Sequence, residues 1–529
     1  MATNDSFELG RMSNLKIILR NIGALQLIQS GLMFASIIVT LIFGEFYQAG
    51  IFFLSGLLTG TFGGILYWVF SDAPDPKVKH AMIIAGLGWF ITAAFGSLPF
   101  FLTAYLTPTG VIESYLPTGA TYSSSVYNFL NPLHALFEGM SGWTTTGLTM
   151  AVHEPSLPRG LLWWRTLMQW IGGMGVILLT VVVIRQATGM SGYLLFQSEA
   201  RERKLRPSVL GTLRELWTLY LGVTIFAAIY LTVVLAIFEP DYTISRAIWG
   251  GVTHAMTAIS TGGFSILDNS IATYQSYIIE VLYLPIMILG GIAYPVYYAV
   301  IREKDTSELL QSPQTRWLII LIVFGVPVLT LLSVLQYSTS IAFRQSLFQY
   351  ISGITTTGFQ SAPIGDWPAA AIVFIVAGAM VIGGSAGGTV GGIKIIRAYI
   401  IGKGFTWKIQ NVFFTEHEIP ELNLGRERLS REEMNRETTE ATLLVLFYIV
   451  TLIISLIVLT SVVGDKYTLA DTLFEVASAQ STVGLSSGIT DPTMPVAAEI
   501  VLIFQMWIGR LEIIPVLVFF RALFLGFSR

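Results

Sequence analysis

The chain has 529 residues, of which 53% are hydrophobic and 12% are charged, and a typical soluble protein carries about twice that share of charged residues. This composition excludes a soluble globular protein and indicates one that crosses a membrane several times. The formal net charge of −3 is close to neutral, and the absence of cysteine excludes disulfides and thiolate metal sites.

Ten segments are predicted to be membrane-spanning helices, because about 20 apolar residues suffice to cross the hydrocarbon of a bilayer. They lie near residues 24–43, 50–70, 81–106, 160–184, 212–238, 276–301, 315–338, 369–397, 441–463 and 496–524. The polar segment before them lacks the charged-then-apolar pattern of a cleavable signal. The first helix is therefore predicted to remain as an anchor.

Lysine and arginine residues cluster in the connections that follow the fourth, sixth and eighth helices. They are Arg185, Arg201, Arg203, Lys204 and Arg206, then Arg302, Lys304 and Arg316, then Lys403, Lys408, Arg426, Arg428 and Arg431. Segments 107–133, 266–275 and 489–495 contain neither residue type. The positive-inside rule therefore predicts that the basic connections and both termini are cytoplasmic.

One short phrase occurs four times: a hydroxyl residue, Thr, any residue, Gly, then Leu or Phe. The copies occupy 144–148, 260–264, 355–359 and 481–485. Each follows a stretch too short to cross a membrane and lies between two that are long enough. Four Thr- and Gly-rich strands around one axis can form a ring of carbonyl oxygens that replaces the hydration shell of a monovalent cation. The phrases therefore predict a selectivity filter built by one chain.

Aligning the copies on their glycines extends the repeat backwards into a predicted pore helix. Polar residues stand nine positions before each glycine, and hydroxyl residues stand six positions before it. They are Glu138, His254, Gln349 and Glu475, and Ser141, Thr257, Ser352 and Ser478. Re-entrant loops that only pack are the alternative, but the matched residue classes favour pore helices lining a cavity.

The predicted fold is an all-α polytopic membrane protein with four repeats around one pore. Each repeat has a transmembrane helix, a pore helix, a filter strand and a second transmembrane helix, and two extra transmembrane helices precede the first repeat. The predicted divisions are 1–80 for the N-terminal tail and extra helices, 81–184, 185–301 and 302–397 for repeats 1 to 3, 398–440 for a cytoplasmic connection and 441–529 for repeat 4.

The segment 383–392 holds six glycines inside the eighth predicted helix. Glycine weakens a helix by roughly 0.5–1 kcal/mol relative to alanine, so this helix is predicted to break. One interpretation is a flexible intramembrane gate across the pore, and the other is a small-residue face for close helix packing. The run also contains a G-x-S-x-G pattern around Ser385, as in serine hydrolases. A nucleophilic serine needs a nearby base, and the predicted spanning helices contain no histidine, which argues against an enzyme.

Arg510 is a charge within an otherwise apolar helix, where an arginine costs about 2.5 kcal/mol or more and usually faces a cavity or a partner. The favoured interpretation is a positive barrier beneath the filter that contacts the glycine run. The alternative is pairing with Glu512 or with a carbonyl of the bundle. Arg159 and Arg165 are predicted to extend towards the membrane interface instead.

An acidic residue follows each glycine of the four phrases by five to eight positions. These residues are Glu154, Asp268, Asp366 and Asp491. Four carboxylates at the outer mouth would raise the local cation concentration. Acidic residues are also common in ordinary loops, so both interpretations stay open.

Together these features resemble the Trk/Ktr/HKT superfamily of potassium transporters. The resemblance rests on the fourfold repeat, on the phrases TTTGL, STGGF, TTTGF and STVGL, on segment Gly383–Lys394 and on Gly509-Arg510-Leu511-Glu512. It covers about 81–524, and the two leading helices are most similar to the TrkH/TrkG branch.

The resemblance implies a non-enzymatic, potassium-translocating membrane subunit that binds potassium as its substrate and no cofactor. It places the filter at Thr145, Thr146, Gly147, Thr261, Gly262, Gly263, Thr356, Thr357, Gly358, Thr482, Val483 and Gly484. It places the gate at Gly383, Gly384, Gly387, Gly388, Gly391, Gly392, Lys394 and Arg510. Glycine in all four phrases favours potassium over sodium, because superfamily members with serine in the first loop tend to pass sodium.

The resemblance also implies partners and a location. It predicts a homodimer in the lipid bilayer of the cytoplasmic (inner) membrane, regulated by a cytoplasmic nucleotide-binding subunit of the TrkA type, with no nucleic acid bound. The first alternative is a sodium-permeable or sodium-coupled transporter of the same fold. An intramembrane serine protease centred on Ser385 is the remote alternative.

Overall fold

The structure is a computed structural model that describes residues 2–175, 209–410, 412, 413, 422–424 and 427–526. The end of predicted helix 160–184, the basic residues Arg185 to Arg206, and Arg426 lie outside the described residues. Helices dominate the described parts, which confirms the predicted all-α class. The exception is one antiparallel pair of short strands, Leu422–Leu424 and Glu427–Leu429, with Leu422 opposite Leu429.

Six of the described helices are long and apolar enough to cross a membrane. Two of them, Ala2–Ile42 and Phe46–Val69, precede the repeats. The others begin the four repeats, and they are Val78–Gly96 with its continuation Leu98–Leu106, Val209–Phe238, Pro313–Ser333 and Arg431–Val463. Several spans support the prediction of a multi-pass membrane protein.

The short helices predicted before the filter phrases are present in all four repeats. These pore helices are Pro132–Trp143, Ile244–Ile259, Thr339–Ile354 and Leu469–Gln480. Each ends immediately before its Thr- and Gly-rich phrase. The four Thr- and Gly-rich phrases therefore begin at the carboxyl ends of four short helices, as the aligned sequence predicts.

The second helices of three repeats are interrupted within the described residues, and in repeats 2 and 4 the interruption differs from the prediction. Repeat 2 has Tyr277–Gly290 and Tyr294–Ile301, bent by 96°. Repeat 4 has Val496–Arg510 and Ile514–Leu525. The continuous helices predicted over 276–301 and 496–524 are therefore wrong.

The other two second helices belong to repeats 3 and 1. The helix of repeat 3 runs over Ala369–Ile375, continues as a π-helix over Val376–Met380, and resumes as Ile395–Gln410 after an irregular loop. The glycine run predicts this break. In repeat 1, Arg159–Gly173 is described as helix.

Glycines explain where these helices stop. A Cβ atom added to Gly172, Gly290 or Gly509 would lie 2.3, 2.4 or 1.9 Å from a carbonyl oxygen in the last turns of the neighbouring pore helix. Glycine thus lets the second helix touch the pore helix backbone, and it also weakens the helix at that point. The interrupted backbone lies within protein, which is where membranes tolerate such breaks.

Short helical turns connect these elements. They are Thr109–Ser114, Ser125–Leu130, Glu154–Ser156, Ser270–Tyr274, Glu308–Gln311, Ile364–Asp366 and Gly464–Lys466.

The two N-terminal helices form a hairpin that packs on repeat 1. Within the hairpin, a Cβ atom on Gly23 would lie 2.7 Å from the Gly63 carbonyl oxygen, so the helices approach closely, as small residues allow in membranes. Gln29 Nε2 donates to the Thr92 carbonyl at 2.9 Å. Glu45 accepts hydrogen bonds from the backbone at the start of Arg159–Gly173. The hairpin thereby supports both long helices of repeat 1, and the predicted division at residue 80 stays a prediction.

Candidate functional site

The four phrases adopt one backbone pattern where each pore helix ends. In every repeat, the residue before the aligned glycine donates its N–H to the carbonyl five residues earlier. The bonds run from Thr146 to Ser141 (2.9 Å), from Gly262 to Thr257 (2.8 Å), from Thr357 to Ser352 (3.0 Å) and from Val483 to Ser478 (2.9 Å). The sequence repeat is therefore also a repeat of local structure.

The threonine two residues before each aligned glycine lies in the left-handed region. The φ angles of Thr145, Thr261, Thr356 and Thr482 are 55°, 52°, 50° and 49°. This conformation is a genuine outlier for a β-branched residue, and such strain costs about 1–3 kcal/mol per residue and clusters at functional sites. Four strained threonines in equivalent positions therefore indicate that the strand geometry is required by function.

The four strands close into a ring. A Cβ atom added to each aligned glycine would strike the carbonyl oxygen of the residue before the glycine in the next repeat. The contacts run from Gly147 to Gly262 (2.2 Å), from Gly263 to Thr357 (2.3 Å), from Gly358 to Val483 (1.9 Å) and from Gly484 back to Thr146 (2.1 Å). The order returns to its starting strand, so the four carbonyls, from Thr146, Gly262, Thr357 and Val483, belong to one closed ring. We call it the carbonyl ring.

Hydroxyl groups six residues before the glycines attach three of the strands to their pore helices. Ser141 Oγ accepts from the Gly147 N–H at 2.9 Å, and Ser478 Oγ accepts from the Gly484 N–H at 3.0 Å. Ser352 Oγ donates to the Phe359 carbonyl at 2.7 Å. Thr257 instead donates to carbonyls of its own helix. The second strand is thus held differently from the others.

The polar residues nine positions before the glycines support the chain beyond each strand. Glu138 accepts from the Thr149 hydroxyl and the Met150 N–H. Glu475 accepts from the hydroxyls of Ser486, Ser487 and Thr490 and from the N–H groups of Ser487 and Thr490. His254 bonds Ser265, and Gln349 donates to the Ala362 carbonyl. The matched polarity found by alignment therefore corresponds to one supporting role.

Arg165 does not extend to an interface, and that prediction is wrong. Its side chain is 1% exposed, with Nε 2.7 Å from Glu138 and Nη1 donating to the Ser265 carbonyl at 2.9 Å. The guanidinium also lies 4.1 Å above the centre of the Phe264 ring. Its partners Glu138 and Ser265 are distant in sequence, so the residue type and position of Arg165 did not predict these contacts. Arg159 is exposed, as predicted.

The four acidic residues after the strands have different environments. Burial raises the pKa of Glu154 well above its usual value, although Arg165 opposes this effect. Burial also raises the pKa of Asp268, which His153 partly offsets at 3.7 Å. Asp366 is exposed, and Asp491 accepts hydrogen bonds from Thr493. Of the four, Asp366 best fits a solvated carboxylate, and a shared role at the pore mouth stays a hypothesis.

The loop between Met380 and Ile395 contains the glycine run and contacts three of the four strands. The Gly391 N–H donates to Thr356 Oγ1 at 3.1 Å, and Thr389 Oγ1 lies 3.1 Å from Thr261 Oγ1. A Cβ atom on Gly391 would lie 2.0 Å from the Ser481 carbonyl oxygen. Thr261 and Thr356 each precede a residue of the carbonyl ring. The loop therefore lies directly against one end of the ring.

The other predicted gate glycines shape the loop and attach it to repeat 2. Gly383, Gly387 and Gly392 have φ angles of 67°, 80° and 73°. The Gly387 carbonyl accepts from the Tyr294 N–H at 3.0 Å, and Gly384 and Gly388 approach the carbonyls of Gly291 and Ile292. All six glycines of the run thus belong to one folded loop, which we call the glycine loop.

Arg510 joins the glycine loop to repeat 1. Its Nη1 donates to the Thr389 carbonyl at 2.6 Å and to Thr145 Oγ1 at 3.2 Å, and its Nη2 donates to the Gly172 and Gly173 carbonyls at 2.8 Å each. Contact with the glycine run and pairing with carbonyls, posed as alternatives from the sequence, are both present. A positive charge therefore lies at the end of the carbonyl ring where the loop is.

Glu512 pairs with the glycine loop rather than with Arg510. Its carboxylate contacts Lys394 Nζ and Arg397 Nη2, and all three side chains are nearly buried. Lys394 ends the glycine loop, and Arg397 lies in Ile395–Gln410. The ion pairs thus connect the broken helix of repeat 3 to the break in the last second helix.

Replacing Glu512 by glutamine is expected to lower the free energy of unfolding by about 3 kcal/mol, because removing one partner leaves buried charges uncompensated. Thermal unfolding of the purified protein measures the effect. Glu432→Gln is the matched control, since Glu432 is exposed and such changes usually stay within about 0.5 kcal/mol. Equal melting temperatures for both variants would contradict the assignment.

Among the residues that the structure describes, the Ser385 hydroxyl has no hydrogen-bond partner, whereas a nucleophilic serine needs a base within hydrogen-bond reach. His134 bonds the Asn128 carbonyl and lies 3.6 Å from Glu499, and His254 bonds Tyr283 and Ser265. Neither histidine is directed at Ser385. In the part of the chain that the structure describes, no group of three or more His, Cys, Asp or Glu side chains could hold a metal ion. The candidate cation ligands predicted from the sequence are the oxygens of the four Thr- and Gly-rich strands.

Comparisons with known proteins identify the family of this chain. A family model described as TrkH, cation transport protein, matches residues 107–524. The Trk system potassium uptake protein TrkH of Halomonas elongata is 28% identical, over 97% of this chain and 99% of that protein. TrkG of Escherichia coli is 27% identical over the same shares, and an uncharacterized cation transporter of Methanocaldococcus jannaschii is 29% identical over 89% of each chain.

A solved structure shares the fold. The crystal structure of the potassium transporter TrkH from Vibrio parahaemolyticus matches with a TM-score of 0.73 and 23% identity, covering 95% of this chain and 98% of that one. The family model matches well over half of the chain, and its members are transporters rather than enzymes. This protein therefore belongs to the TrkH family of cation transport proteins and is most similar to its TrkH/TrkG branch.

Proposed function

We propose that this chain is the potassium-translocating subunit of a Trk-type uptake system and moves potassium through a channel-like pore. The observation that carries the proposal is the carbonyl ring formed by Thr146, Gly262, Thr357 and Val483. Oxygen rings of this kind can substitute for the hydration shell of a monovalent cation. The relatives named for potassium uptake support potassium as the substrate.

The pore helices add an electrostatic reason for cation selectivity. Each helix ends directly before a filter strand, and the carboxyl end of a helix carries roughly half a negative charge. Four such ends surrounding the strands favour a cation over an anion without placing a fixed carboxylate in its path. The filter proposed here comprises the Thr, Gly and Val residues named from the sequence, at 145–147, 261–263, 356–358 and 482–484.

The glycine loop and Arg510 are proposed as the gate. The loop contacts strands 2, 3 and 4, and Arg510 attaches it to repeat 1. A cation leaving the carbonyl ring at this end meets a folded loop and a positive charge. Transport would then require the loop to move, with Lys394 and Glu512 fixing one of its ends.

The assembly and location are proposed from the resemblance of the sequence to the superfamily. We propose a homodimer in the cytoplasmic (inner) membrane, with both termini in the cytoplasm and a nucleotide-binding TrkA-type subunit on the cytoplasmic side. The basic connections support this orientation through the positive-inside rule. Transport needs no bound cofactor in this proposal, and potassium is the substrate.

Uptake of rubidium-86 into vesicles that contain the purified protein tests the proposed function. The same uptake, measured for Gly147→Ser with and without competing sodium, tests the filter. A Cβ atom at Gly147 would lie 2.2 Å from the Gly262 carbonyl, and φ there is 93°. The serine must displace a carbonyl of the ring, so rubidium uptake should fall or sodium should compete better, by about tenfold or more for a displacement costing 1.4 kcal/mol.

Gly222→Ser is the matched control, because a Cβ atom at Gly222 meets nothing within 4 Å. It should leave uptake and sodium competition unchanged. If Gly147→Ser behaves like this control at normal expression, Gly147 is not part of the filter. If wild-type vesicles take up sodium as readily as rubidium, the sodium-permeable alternative replaces the proposal.

A further inference from the structure

The second filter strand has a partner that the sequence repeat does not predict. Gln169, in Arg159–Gly173 of repeat 1, is fully buried. Its Nε2 donates to the Gly262 carbonyl at 2.5 Å, and its Oε1 accepts from the Phe264 N–H at 3.1 Å. Gly262 contributes one of the four oxygens of the carbonyl ring. One buried amide therefore holds one ring oxygen from outside.

Gln169 also fills space that a side chain occupies in the other strands. The residues equivalent to Gly262 are Thr146, Thr357 and Val483, all β-branched. A Cβ atom at Gly262 would lie 2.4 Å from Gln169 Cδ and 2.5 Å from its Oε1. The glycine in the strand and the glutamine in the neighbouring helix are thus complementary in shape as well as in hydrogen bonding.

The equivalent positions in the second helices of repeats 2 and 4 carry methionine. Gly172, Gly290 and Gly509 each approach a pore helix carbonyl, and three residues before them stand Gln169, Met287 and Met506. Both methionines are buried. Methionine sulfur accepts hydrogen bonds only weakly and cannot donate to a carbonyl. The two hydrogen bonds from Gln169 therefore connect the second helix of repeat 1 to the second filter strand.

Arg165, one helical turn before Gln169, adds a third hydrogen bond between the same helix and the chain after the second strand. It lies four residues before Gln169, so both side chains project from one face of the helix, and its Nη1 donates to the Ser265 carbonyl. The second helix of repeat 1 therefore binds three backbone groups between residues 262 and 265. These three hydrogen bonds take the place of the hydroxyl hydrogen bond that joins pore helix and strand in the other repeats and that Thr257 does not make.

We propose that Gln169 is a specificity-determining positioning residue of the filter, an inference that rests on the proposed function. Its amide occupies one lone pair of the Gly262 carbonyl, which weakens the field that this oxygen presents to a cation. It also prevents a strand with two successive glycines from closing around a smaller ion. Both effects disfavour sodium relative to potassium, because selectivity depends on the field strength of the carbonyls and on the fit of the ring.

Gln169→Met, which gives repeat 1 the residue of repeats 2 and 4, tests the proposal. Sodium should then compete about fivefold better against rubidium-86 uptake, which corresponds to about 1 kcal/mol. The rise in melting temperature with potassium should also exceed the rise with the same concentration of sodium by less than in the wild type, since a ligand stabilises the folded state according to its affinity. Met506→Leu is the control and should change neither quantity.

Gln169→Asn provides a second variant, because its shorter side chain withdraws the amide from Gly262 while staying polar. A shift of selectivity towards sodium at a normal melting temperature in either variant supports the proposal. Wild-type selectivity in every variant that folds overturns it, and so does loss of folding in both, which would make Gln169 a structural residue only. Failure of the proposed function is distinguishable, because it would appear as absent rubidium uptake by the wild-type protein.

Discussion

Replacing Arg510 by alanine is expected to increase rubidium or potassium flux while leaving sodium competition largely unchanged. At 4 Å, the repulsion between two unit charges is about 4 kcal/mol at an effective dielectric constant of 20, and about 1 kcal/mol in water. Even the smaller value changes a rate several-fold, because about 1.4 kcal/mol is a factor of ten. The carbonyl ring does not include Arg510, so selectivity should persist. Flux into vesicles and the melting temperature of the same preparation are the measurements.

The hydrogen bonds of Arg510 make a second variant informative. Its guanidinium donates hydrogen bonds to three carbonyls and one hydroxyl. Lysine keeps the positive charge but lacks the planar set of N–H donors that makes these bonds. If the charge is the barrier, Arg510→Lys should retain slow flux. If attachment of the glycine loop is the barrier, Arg510→Lys should raise flux as alanine does. Arg246→Ala is the control, since Arg246 is exposed. Slower flux with a lowered melting temperature in Arg510→Ala would contradict the barrier and leave a structural role.

The parts of the fold that depend on local sequence could be predicted. The four pore helices and strands follow from short phrases with Thr and Gly at fixed spacing, and each phrase adopts the same backbone bonds. The broken helix of repeat 3 follows from the density of glycine. The breaks at Gly290 and Gly509 could not be predicted in this way, because each lies in an apolar segment of spanning length. Their cause is contact with a pore helix carbonyl.

The parts of the site that depend on distant contacts could not be predicted from residue type. Arg165 near a helix start is typical of an interfacial arginine, but its partners Glu138 and Ser265 lie 27 and 100 residues away. Gln169 has no motif, and its partner Gly262 lies 93 residues away. At the equivalent positions of repeats 2 and 4, Met287 and Met506 stand in place of Gln169, and this contrast is the one signal that the sequence carries. Arg510 could be predicted as a functional residue, because a charge within a membrane-spanning segment is rare.

Shortening the glycine loop is expected to raise flux in the absence of any cytoplasmic partner. A deletion within 383–392 that includes Thr389 and Gly391 removes contacts to Thr261 and Thr356 and one carbonyl partner of Arg510. The end of the carbonyl ring that the loop covers would then be open. Because the ring itself is unchanged, rubidium should still be preferred over sodium. Uptake into vesicles by the purified protein alone measures both quantities.

A point change offers the same test with less disturbance. Gly391→Ala places a Cβ atom 2.0 Å from the Ser481 carbonyl, so the loop must move away from the fourth strand. Gly402→Ala is its control, because a Cβ atom there meets nothing within 4 Å. Faster flux for the deletion and for Gly391→Ala, but not for Gly402→Ala, means that the loop limits transport where it touches the strands. Unaltered flux in a correctly assembled deletion variant means that the glycines serve helix packing, and the gate must then lie elsewhere in the pore.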